Sequence, residues 1–426
     1  MMKVWIVGVG EPLPIDGENT RLRRIGNFSN YLSENGHSVD WFSVSFDHYK
    51  KRQRVQQNQT FILNERLKLH VAKVSGYKKN ISLQRIYHHY DASKQIFKLL
   101  KKEPKPDVIL SGNTPIEVIT MVTKYGKDNN IPVITDVRDL WPDIFKESMP
   151  EKFRSLITPY VVFSNKKVDT YFRNSYSIVG LSEGFLSFGL EHAKRSRKKT
   201  DTVIPIAYPD YSYNYSENEF SSLWSKHGVE SNDFIISFTG NFGNQFSFES
   251  IINASNKLTG ISNLKFVLCG TGPQMEYVKS KCSDNVIFPG WIEKDMITSL
   301  LQWSKLGIAP YINSTNYQLN TPNKFGEYLS ASLPILLSVD GVMKNLVDEY
   351  HCGSYYKDGS ALEKIIKNYF DNFDKLYSES ISARSLYEAN FQIDIVQEKF
   401  MKHLQFVIDE YKLTGGKYEQ DKKSLF

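Results

Sequence analysis

Residues 321–338, TPNKFGEYLSASLPILLS, run from a helix start straight into a buried strand. Thr321 is the predicted N-cap of this helix, and Pro322 is its predicted first residue, where the missing proline N–H costs no hydrogen bond. The helix is predicted over 322–331. The apolar run 335–338 is typical of a strand covered on both faces, as in parallel sheets. This stretch therefore predicts an α/β protein with parallel sheets.

Short apolar runs alternate with amphipathic stretches on both sides of these residues, as in repeated βαβ units. In the second half, the predicted strands are 234–239, 264–268, 286–288, 306–309 and 335–338, and the predicted helices are 248–258, 273–282, 293–303 and 322–331. In the first half, the predicted strands are 3–9, 39–44, 67–74, 107–111, 132–136 and 178–181, and the predicted helices are 21–35, 83–102 and 115–128.

The length of 426 residues is too great for one ordinary core and predicts two domains. A basic run before Pro205 and a Tyr- and Asn-rich run after it place the boundary there, which gives domains 1–205 and 206–389. The tail over about 390–412 has helical spacing and is expected to pack back on the first domain. Two open parallel sheets would face each other across a cleft, each with its ligand-binding edge at the strand C-termini.

The composition, with 41% apolar and 23% charged residues, is that of a globular protein. No run of about 18 apolar residues is present, so we expect no membrane-spanning helix. The three scattered cysteines offer neither a disulfide framework nor the spacing of a metal site. A net charge of +6 suits anionic substrates or an anionic membrane surface and does not require nucleic acid.

Three glycine-containing turns each follow a predicted strand of the second half, at Thr239–Gln245, Leu268–Pro273 and Phe288–Ile292. Glycine permits close backbone approach, and amides at the start of a following helix bind anions. Each turn alone is equally explained as an ordinary strand-to-helix connection, with Pro273 as a first helical residue. Together they give the candidate donor-binding residues Gly240, Asn241, Asn244, Gln245, Gly270, Gly272, Pro273, Trp291 and Ile292.

The predicted helix 322–331 has two different faces. Phe325 lies on an apolar face that is predicted to pack inward, whereas the opposite face carries Asn323, Lys324 and Glu327. That polar face is either a solvated stripe or part of a sugar-nucleotide site. In such a site, a lysine and helix amides hold the diphosphate, and a carboxylate one turn later accepts the ribose hydroxyls.

The succession of Gly270–Pro273, Pro289-Gly290 and Pro322–Pro334 resembles the donor domain of family 4 glycosyltransferases. The resemblance implies the GT-B fold, with two Rossmann-like parallel-sheet domains, and glycosyl transfer that retains anomeric configuration without a metal. It also implies that Glu327 binds the ribose and that the backbone near Lys324 and Phe325 binds the diphosphate.

Two positions depart from the family pattern. Many relatives carry a second glutamate where this chain has Leu319, and a basic residue where it has Asn244 and Gln245. The charge on the donor phosphates is therefore expected to rest mainly on Lys324 and on helix amides.

Three polar strings of the first half, at 11–19, 46–54 and 136–143, follow predicted strands. They resemble a subgroup of family 4 enzymes of bacterial O-antigen and capsule assembly, some of which transfer N-acetylated amino-deoxy sugars such as N-acetylfucosamine. In the functional interpretation of these residues, Asp139 contacts the acceptor hydroxyl, and Asp16, Gly17 and Glu18 approach the transferred sugar or the β-phosphate. The further candidate acceptor-binding residues are Gly17, Glu18, Arg138, Trp141, His48 and Lys51.

Each of these strings also has an ordinary explanation. Arg138 and Asp139 suit a salt bridge that supports a loop, residues 16–18 an exposed acidic turn, and the basic run 50–54 a solvated loop. His48 suits a simple polar contact.

The resulting prediction is a glycosyltransferase, with Lys324, Asp139 and Asp16 as catalytic candidates. It would move a sugar, an N-acetylated amino sugar by resemblance, from a UDP-sugar to an undecaprenyl-diphosphate-linked saccharide. It would act peripherally on the inner face of the cell membrane, with no cofactor beyond the donor and no metal. The alternatives are a UDP-sugar 2-epimerase of the same fold and a non-catalytic partner subunit.

Overall fold

The computed structural model describes residues 1–17, 20–144, 154–210 and 214–416. The chain divides into two compact units, Met1–Ile204 with Gln397–Phe426, and Pro205–Val396. Each unit is an α/β layer structure built on one sheet of mainly parallel strands. The fold class predicted from the alternation of apolar runs is therefore confirmed.

The strands of the first unit are β1 (Lys3–Val7), β2 (Ser38–Val44), β3 (Phe46–Asp47), β4 (Arg52–Gln53), β5 (Gln59–Asn64), β6 (Leu67–Ala72), β7 (Val108–Gly112), β8 (Val133–Val137), β9 (Ser177–Gly180) and β10 (Thr202–Val203). Eight of them form one sheet in the order β10-β9-β8-β7-β1-β2-β6-β5. Only β5 is antiparallel to its neighbour, and β3 pairs with β4 in a separate hairpin. The sequence analysis missed β5, β10 and the hairpin, because β5 is a largely exposed edge strand and the others span two residues each.

The helices of the first unit are α1 (Arg24–Glu34), α2 (Leu83–Leu100), α3 (Ile116–Asp128), α4 (Arg154–Asn174) and α5 (Glu183–Ala193). Helix α1 ends before Gly36, whose φ of 84° closes the turn. Helix α2 begins after Ser82, whose side chain accepts a hydrogen bond from the Arg85 N–H. Buried apolar side chains such as Trp5, Phe42 and Ile96 join the sheet to these helices.

The second unit has a six-stranded, fully parallel sheet in the order β13-β12-β11-β14-β15-β16. Its strands are β11 (Phe234–Thr239), β12 (Leu264–Cys269), β13 (Val286–Gly290), β14 (Leu306–Ala309), β15 (Ile335–Leu337) and β16 (Gly353–Tyr355). Its helices are α6 (Glu217–Trp224), α7 (Glu249–Lys257), α8 (Met275–Lys281), α9 (Lys294–Trp303), α10 (Thr315–Gln318), α11 (Asn323–Ser330), α12 (Val342–Tyr350), α13 (Gly359–Asp371) and α14 (Phe373–Asn390).

The last helix, α15 (Ile393–Leu413), begins in the second unit and belongs to the first from Gln397 onward. The chain thus rejoins the first unit at Gln397 and not at the start of the helix. The reason is local, because Phe391 is buried in the core of the second unit, where it packs against Phe325. Within the first unit, Phe400 of α15 stacks on Phe28 of α1.

Both sheets have a point at which successive connections leave in opposite directions. In the first sheet this point lies between β1 and β7, and in the second between β11 and β14. Ligands of open parallel sheets bind beyond the carboxyl ends of the strands at such switch points. We therefore expect the ligand-binding residues on the loops after β1, β7 and β8 in the first sheet and after β11, β12 and β14 in the second.

Candidate functional site

A small cavity of about 250 Å³ opens at the switch point of the second sheet. Its lining residues are polar or aromatic and come from the loop after β11, the loop after β14 and the start of α11: Asn241, Gln245, Phe246, Tyr311, Tyr317, Pro322, Asn323 and Lys324. Four of these, namely Asn241, Gln245, Asn323 and Lys324, were candidate donor-binding residues. The fold thus brings separate segments of the chain to one place.

The loops after β11 and β12 touch each other through their backbones. The Gly240 N–H donates to the Cys269 carbonyl over 2.9 Å, and the Phe242 N–H donates to the Thr271 carbonyl over 2.9 Å. A β-carbon on Gly270, where φ is 133°, would collide with the Gly240 carbonyl oxygen. Only glycine permits this close approach of the two loops. Gly272 lies in the same crossing, beside the Asn241 side chain.

Lys324 is the central cation of this site. The sequence placed its side chain on the outer face of the helix, but the residue is 8% exposed. Its ammonium donates to the Thr239 carbonyl at the end of β11 and lies 4.8 Å from the centre of the Phe238 ring. Burial lowers the pKa of Lys324 to about 8, and Glu327 acts in the opposite direction. A desolvated ammonium beside glycine loops is suited to hold phosphate oxygens.

The start of α11 lies one residue later than predicted. Pro322 has an extended ψ of 166° and is the N-cap, and Asn323 is the first helical residue. The predicted cap by Thr321 is wrong, because the hydroxyl of this buried residue has no hydrogen-bond partner among the described residues. Helix α8 likewise starts at Met275, so Pro273 precedes the helix and is not its first residue.

The other donor candidates differ in exposure. Asn241, Asn244, Asn323 and Pro273 are exposed, whereas Gln245 and Glu327 are half-buried. Phe325 is fully buried in the core, so only its backbone is available to a ligand. Trp291 is 71% exposed beside the buried Ile292, and its indole is free to serve as a flat surface for stacking.

In the first unit, charged residues surround the carboxyl end of β8. Arg24 on α1 makes a two-bond pair with Asp136, with distances of 2.9 and 3.0 Å. Arg138 contacts Glu11 in a close ion pair, and its Nε lies 3.7 Å from the Asp136 carboxylate. Glu11 also accepts a hydrogen bond from the Ile25 N–H at the start of α1. Arg138 is therefore held by Glu11 from the loop after β1 and by Asp136, two residues before it in the chain.

Asp16 is likewise held in place. Arg54 donates to both of its carboxylate oxygens, over 2.6 and 2.8 Å, and the Leu13 N–H donates over 2.9 Å. Burial acts to raise the pKa of Asp16, but these hydrogen bonds outweigh it and the net pKa is lowered. The alternative of an exposed acidic turn does not describe Asp16, whose side chain is buried. Gly17 follows with a φ of 151°, and Glu18 lies outside the described residues.

Asp139 differs from the other carboxylates of this region. Its backbone carbonyl accepts from the Asn113 side chain over 2.7 Å, and Asn113 also fixes the Arg138 N–H. Among the described residues, the Asp139 carboxyl makes no ion pair. Burial raises its pKa, and the Arg138 charge opposes that rise. A poised carboxyl on a fixed loop beside a tryptophan is a suitable partner for a sugar hydroxyl.

His48 and Lys51 belong to an aromatic and basic cluster at the β3–β4 hairpin. The His48 Nδ1 forms a short hydrogen bond with the Tyr77 hydroxyl. The Lys51 ammonium lies 4.4 Å from the centre of the Tyr77 ring, and the Arg85 guanidinium lies 5.6 Å from that of Trp141. Lys51 and Trp141 are acceptor-binding candidates from two different polar strings. Tyr77 and Arg85 lie between them, because Lys51 and Arg85 both contact Tyr77 and Arg85 also contacts Trp141.

Several residues that shape these sites were missed by the sequence analysis. They are Arg24, Arg54, Tyr77, Arg85 and Asn113, together with the pairing of Glu11. Arg54 and Glu11 lie in the polar strings already quoted, which was a usable signal. Arg24 and Arg85 sit on amphipathic helices, where an inward-facing arginine has no distinctive spacing.

A further group, Asp40, His70 and Glu103, brings three potential metal ligands together within the described part of the chain. Both ring nitrogens of His70 already have partners, since Nε2 lies 2.8 Å from Asp40 and Nδ1 lies 3.0 Å from the Thr60 hydroxyl. His70 also stacks on Phe42. We interpret the group as a buried polar network of the sheet.

Comparisons with known proteins agree with the two-sheet architecture. The Anabaena protein HepE in complex with UDP superposes with a TM-score of 0.64 at 12% identity, covering 95% of this chain and 100% of that one. The sucrose-phosphate synthase of Thermosynechococcus elongatus superposes with a TM-score of 0.71 at 13% identity, covering 96% of this chain and 100% of that one. The fold is GT-B.

In sequence, the chain is similar to the chitobiosyldiphosphodolichol beta-mannosyltransferase of Dictyostelium discoideum. The two are 22% identical over 241 residues, which is 55% of this chain and 44% of the relative. The chain therefore matches less than half the length of that relative. No protein-family model matches the chain. Among the described residues, no helix is long and apolar enough to cross a membrane.

Proposed function

We propose that this protein is a glycosyltransferase that moves a sugar from a UDP-sugar to a lipid-linked saccharide acceptor. The acceptor would be an undecaprenyl-diphosphate-linked saccharide in O-antigen or capsule assembly, and the sugar an N-acetylated amino sugar. Transfer would retain configuration and need no metal. The GT-B neighbours and the mannosyltransferase relative, whose name describes a diphosphodolichol-linked acceptor, support this class of reaction.

The observation that carries the proposal is the buried Lys324 ammonium at the end of β11. It lies against the Thr239 carbonyl and beside Gly240, where the two glycine loops cross and α11 begins. The cation, the loop backbone and the helix N-terminus are together suited to bind the negative charges of a nucleotide diphosphate. Glu327, one turn further along α11, is proposed to accept hydrogen bonds from the ribose hydroxyls, and Trp291 is proposed to stack on the base.

The chemical role of this site follows from charge. When the glycosidic bond to the donor breaks, negative charge grows on the leaving diphosphate. Lys324 and the first amides of α11 stabilise that charge more strongly in the transition state than in the ground state. Because Lys324 is largely removed from water, its interaction with the phosphate is screened less than that of a surface lysine.

On the acceptor side, Asp139 is the proposed partner of the attacking hydroxyl. Its raised pKa and its fixed loop suit a group that receives a proton or a hydrogen bond from the acceptor. Arg138 is fixed by Glu11 and Asp136 and shapes the loop. Asp16, fully engaged by Arg54, is proposed to position the loop after β1, with Gly17, near the transferred sugar.

The proposed location is the inner membrane surface, and helix α2 supports it. Leu83, Tyr87 and Tyr90 lie on one face of this helix and are 82%, 62% and 62% exposed. The segment 78–105 contains eight Lys and Arg and two Asp and Glu, a net charge of +6. Exposed apolar and tyrosine side chains among lysines favour adsorption to an anionic bilayer.

A thermal-shift screen of UDP-sugars, followed by transfer assays with the stabilising donor, tests the proposal. A bound donor raises the melting temperature by mass action, and an acceptor-dependent release of UDP then reports transfer. An NMR time course of the donor alone is the control, because a 2-epimerase converts it without an acceptor. Conversion of the donor alone, or donor binding without transfer to any diphosphate-linked acceptor, would contradict the proposal.

A further inference from the structure

A group of cations without carboxylate partners lies beside the proposed acceptor loop. Lys51 comes from the β3–β4 hairpin and Arg85 from the first turn of α2, and Asn80 joins them. The Lys51 ammonium donates to the Asn80 side-chain oxygen over 2.5 Å, and the Arg85 Nη1 donates to the Asn80 carbonyl over 2.9 Å. The Tyr77 ring lies against both, at 4.4 Å from Lys51 and 5.8 Å from Arg85.

Within the described part of the chain, no salt bridge offsets the charge of this cluster. Among the described residues, no ion pair joins Lys51 or Arg85 to a carboxylate, and the Arg85 Nε is buried without a hydrogen-bond partner. The nearby Asp47 directs one carboxylate oxygen to the N–H groups of Tyr49 and Lys50, over 2.8 and 3.1 Å. A buried guanidinium nitrogen that donates to nothing is an unsatisfied site for an acceptor atom.

The neighbouring histidines respond to this positive charge. Burial, together with the charges of Lys51 and Arg85 and against that of Asp47, lowers the pKa of His48 to about 4. Burial, followed by Arg85, lowers the pKa of His89 to about 3. Both imidazoles are therefore neutral near pH 7. The positive charge of the cluster then comes from Lys51 and Arg85.

The backbone also presents Lys51 in an unusual way. Its φ of 51° is left-handed, a conformation that glycine or asparagine adopts at lower cost. The hairpin thus holds a lysine in a strained position with its ammonium over Tyr77. Such strain is common where a side chain is presented to a ligand.

We infer that Lys51 and Arg85 form a binding site for the diphosphate group of the acceptor. The site adjoins the proposed sugar site, because the Arg85 guanidinium lies 5.6 Å from the centre of the Trp141 ring on the Asp139 loop. The exposed Leu83 and Tyr87 lie on the same end of α2, where the lipid attached to that diphosphate would continue. The inference rests on the proposed function, since the diphosphate belongs to the acceptor proposed there.

The first experiment measures binding of inorganic diphosphate to the full chain by calorimetry, with UDP present at saturation to occupy the donor site. The double variant K51Q/R85Q is expected to weaken this binding at least tenfold, roughly the loss of one charge-assisted hydrogen bond. The matched control is K94Q/K98Q, which removes the same charge from the exposed C-terminal half of α2. The control is expected to bind as the wild type does.

A second arm separates a lipid diphosphate from a free one. Farnesyl diphosphate is expected to bind more tightly than inorganic diphosphate, and L83S/Y87S is expected to remove only this difference. No binding of diphosphate to the wild type, or equal losses in K51Q/R85Q and K94Q/K98Q, would overturn the inference. UDP affinity is measured in parallel. If the wild type does not bind UDP, the proposed function fails, and this outcome is distinct from a failure of the diphosphate site.

Discussion

The ammonium of Lys324 occupies the space that a side chain on Gly240 would need. A β-carbon built on Gly240 would meet both the Nζ and the Cε of Lys324 at distances that real contacts do not show. The two residues are far apart in sequence, yet the glycine makes room for the cation. Their fit ties the first glycine turn to the helix that follows Pro322.

Replacement of Gly240 by alanine is therefore expected to displace the lysine head. We expect UDP affinity to fall roughly tenfold, in keeping with the usual 1–3 kcal/mol cost of inserting a methyl group into a packed site. Calorimetry measures the change. Gly260→Ala is the matched control, because nothing lies within 4 Å of its β-carbon position. Unaltered UDP affinity in Gly240→Ala would show that the lysine is not held by this fit.

The lowered pKa of Lys324 predicts a pH dependence of donor binding. With a pKa of about 8, the lysine loses its charge as the pH rises through 8, so UDP affinity should decline above that pH. The bound diphosphate favours the charged form, so the complex should titrate at a higher pH than the free protein. Calorimetry between pH 6.5 and 9.5 tests this, with K324M expected to bind weakly and without a slope. A slope that persists in K324M would assign the titration to another group.

The charged form of Lys324 lowers the free energy of unfolding, whereas a group in a favourable ion pair raises it. The folded pKa of Lys324 lies below the ordinary 10.5, so the unfolded chain binds this proton more tightly at intermediate pH. The lysine therefore costs stability below pH 8 and ceases to do so as the pH rises towards 10.5. K324M is expected to melt at the same or a higher temperature than the wild type at pH 7.

Asp139→Asn is expected to abolish most transfer and to leave donor binding intact. Loss of a group that takes the acceptor proton costs about 10²-fold or more in turnover. Because burial raises the folded pKa of Asp139, its ionised form costs stability at neutral pH, and the asparagine removes that cost. We therefore expect an unchanged or higher melting temperature at pH 7. Full turnover in this variant would remove Asp139 from the mechanism.

Asp16→Asn is expected to act mainly on stability. Breaking its buried pair with Arg54 should cost about 3 kcal/mol at pH 7, measured by urea unfolding. The folded pKa of Asp16 is lowered, so this contribution is present above the ordinary value of 3.8 and disappears as the pH falls through the folded pKa. Asp128→Asn is the control, since its exposed pair with Lys124 should contribute under about 1 kcal/mol. A turnover loss without a stability loss would instead favour direct contact with the sugar.

The exposed face of α2 predicts membrane adsorption. L83S/Y87S should reduce co-sedimentation with vesicles of phosphatidylserine and phosphatidylcholine several-fold, because these side chains would enter the lipid interface. Ile62→Ser is the control, as Ile62 on the edge strand β5 is 75% exposed. Binding should also fall with rising salt, since the lysines contribute through electrostatic attraction. Equal reductions in both variants would indicate non-specific adsorption.

Most strands of the two sheets could be predicted from the sequence, because strands of parallel sheets form short runs of apolar residues. Strands such as β11 and β15 are mostly apolar and buried throughout, since helices cover both faces, and glycine or proline marks their ends. Strand β5 escaped detection because an edge strand that is open to water has no such composition. The start of α11 was missed by one residue, because a proline suits both the N-cap and the first helical position.

By itself, the sequence determined the α/β class, the succession of glycine turns and the α11 motif, since these depend on local preferences and on apolar spacing. Only the tertiary structure determined which partners the charged side chains contact. It buried Lys324 behind Gly240, paired Asp16 with Arg54, and brought Lys51 and Arg85 together beside Trp141. Charge contacts of this kind join residues far apart along the chain, and a side chain's local spacing does not encode which distant carboxylate, ring or carbonyl it will meet.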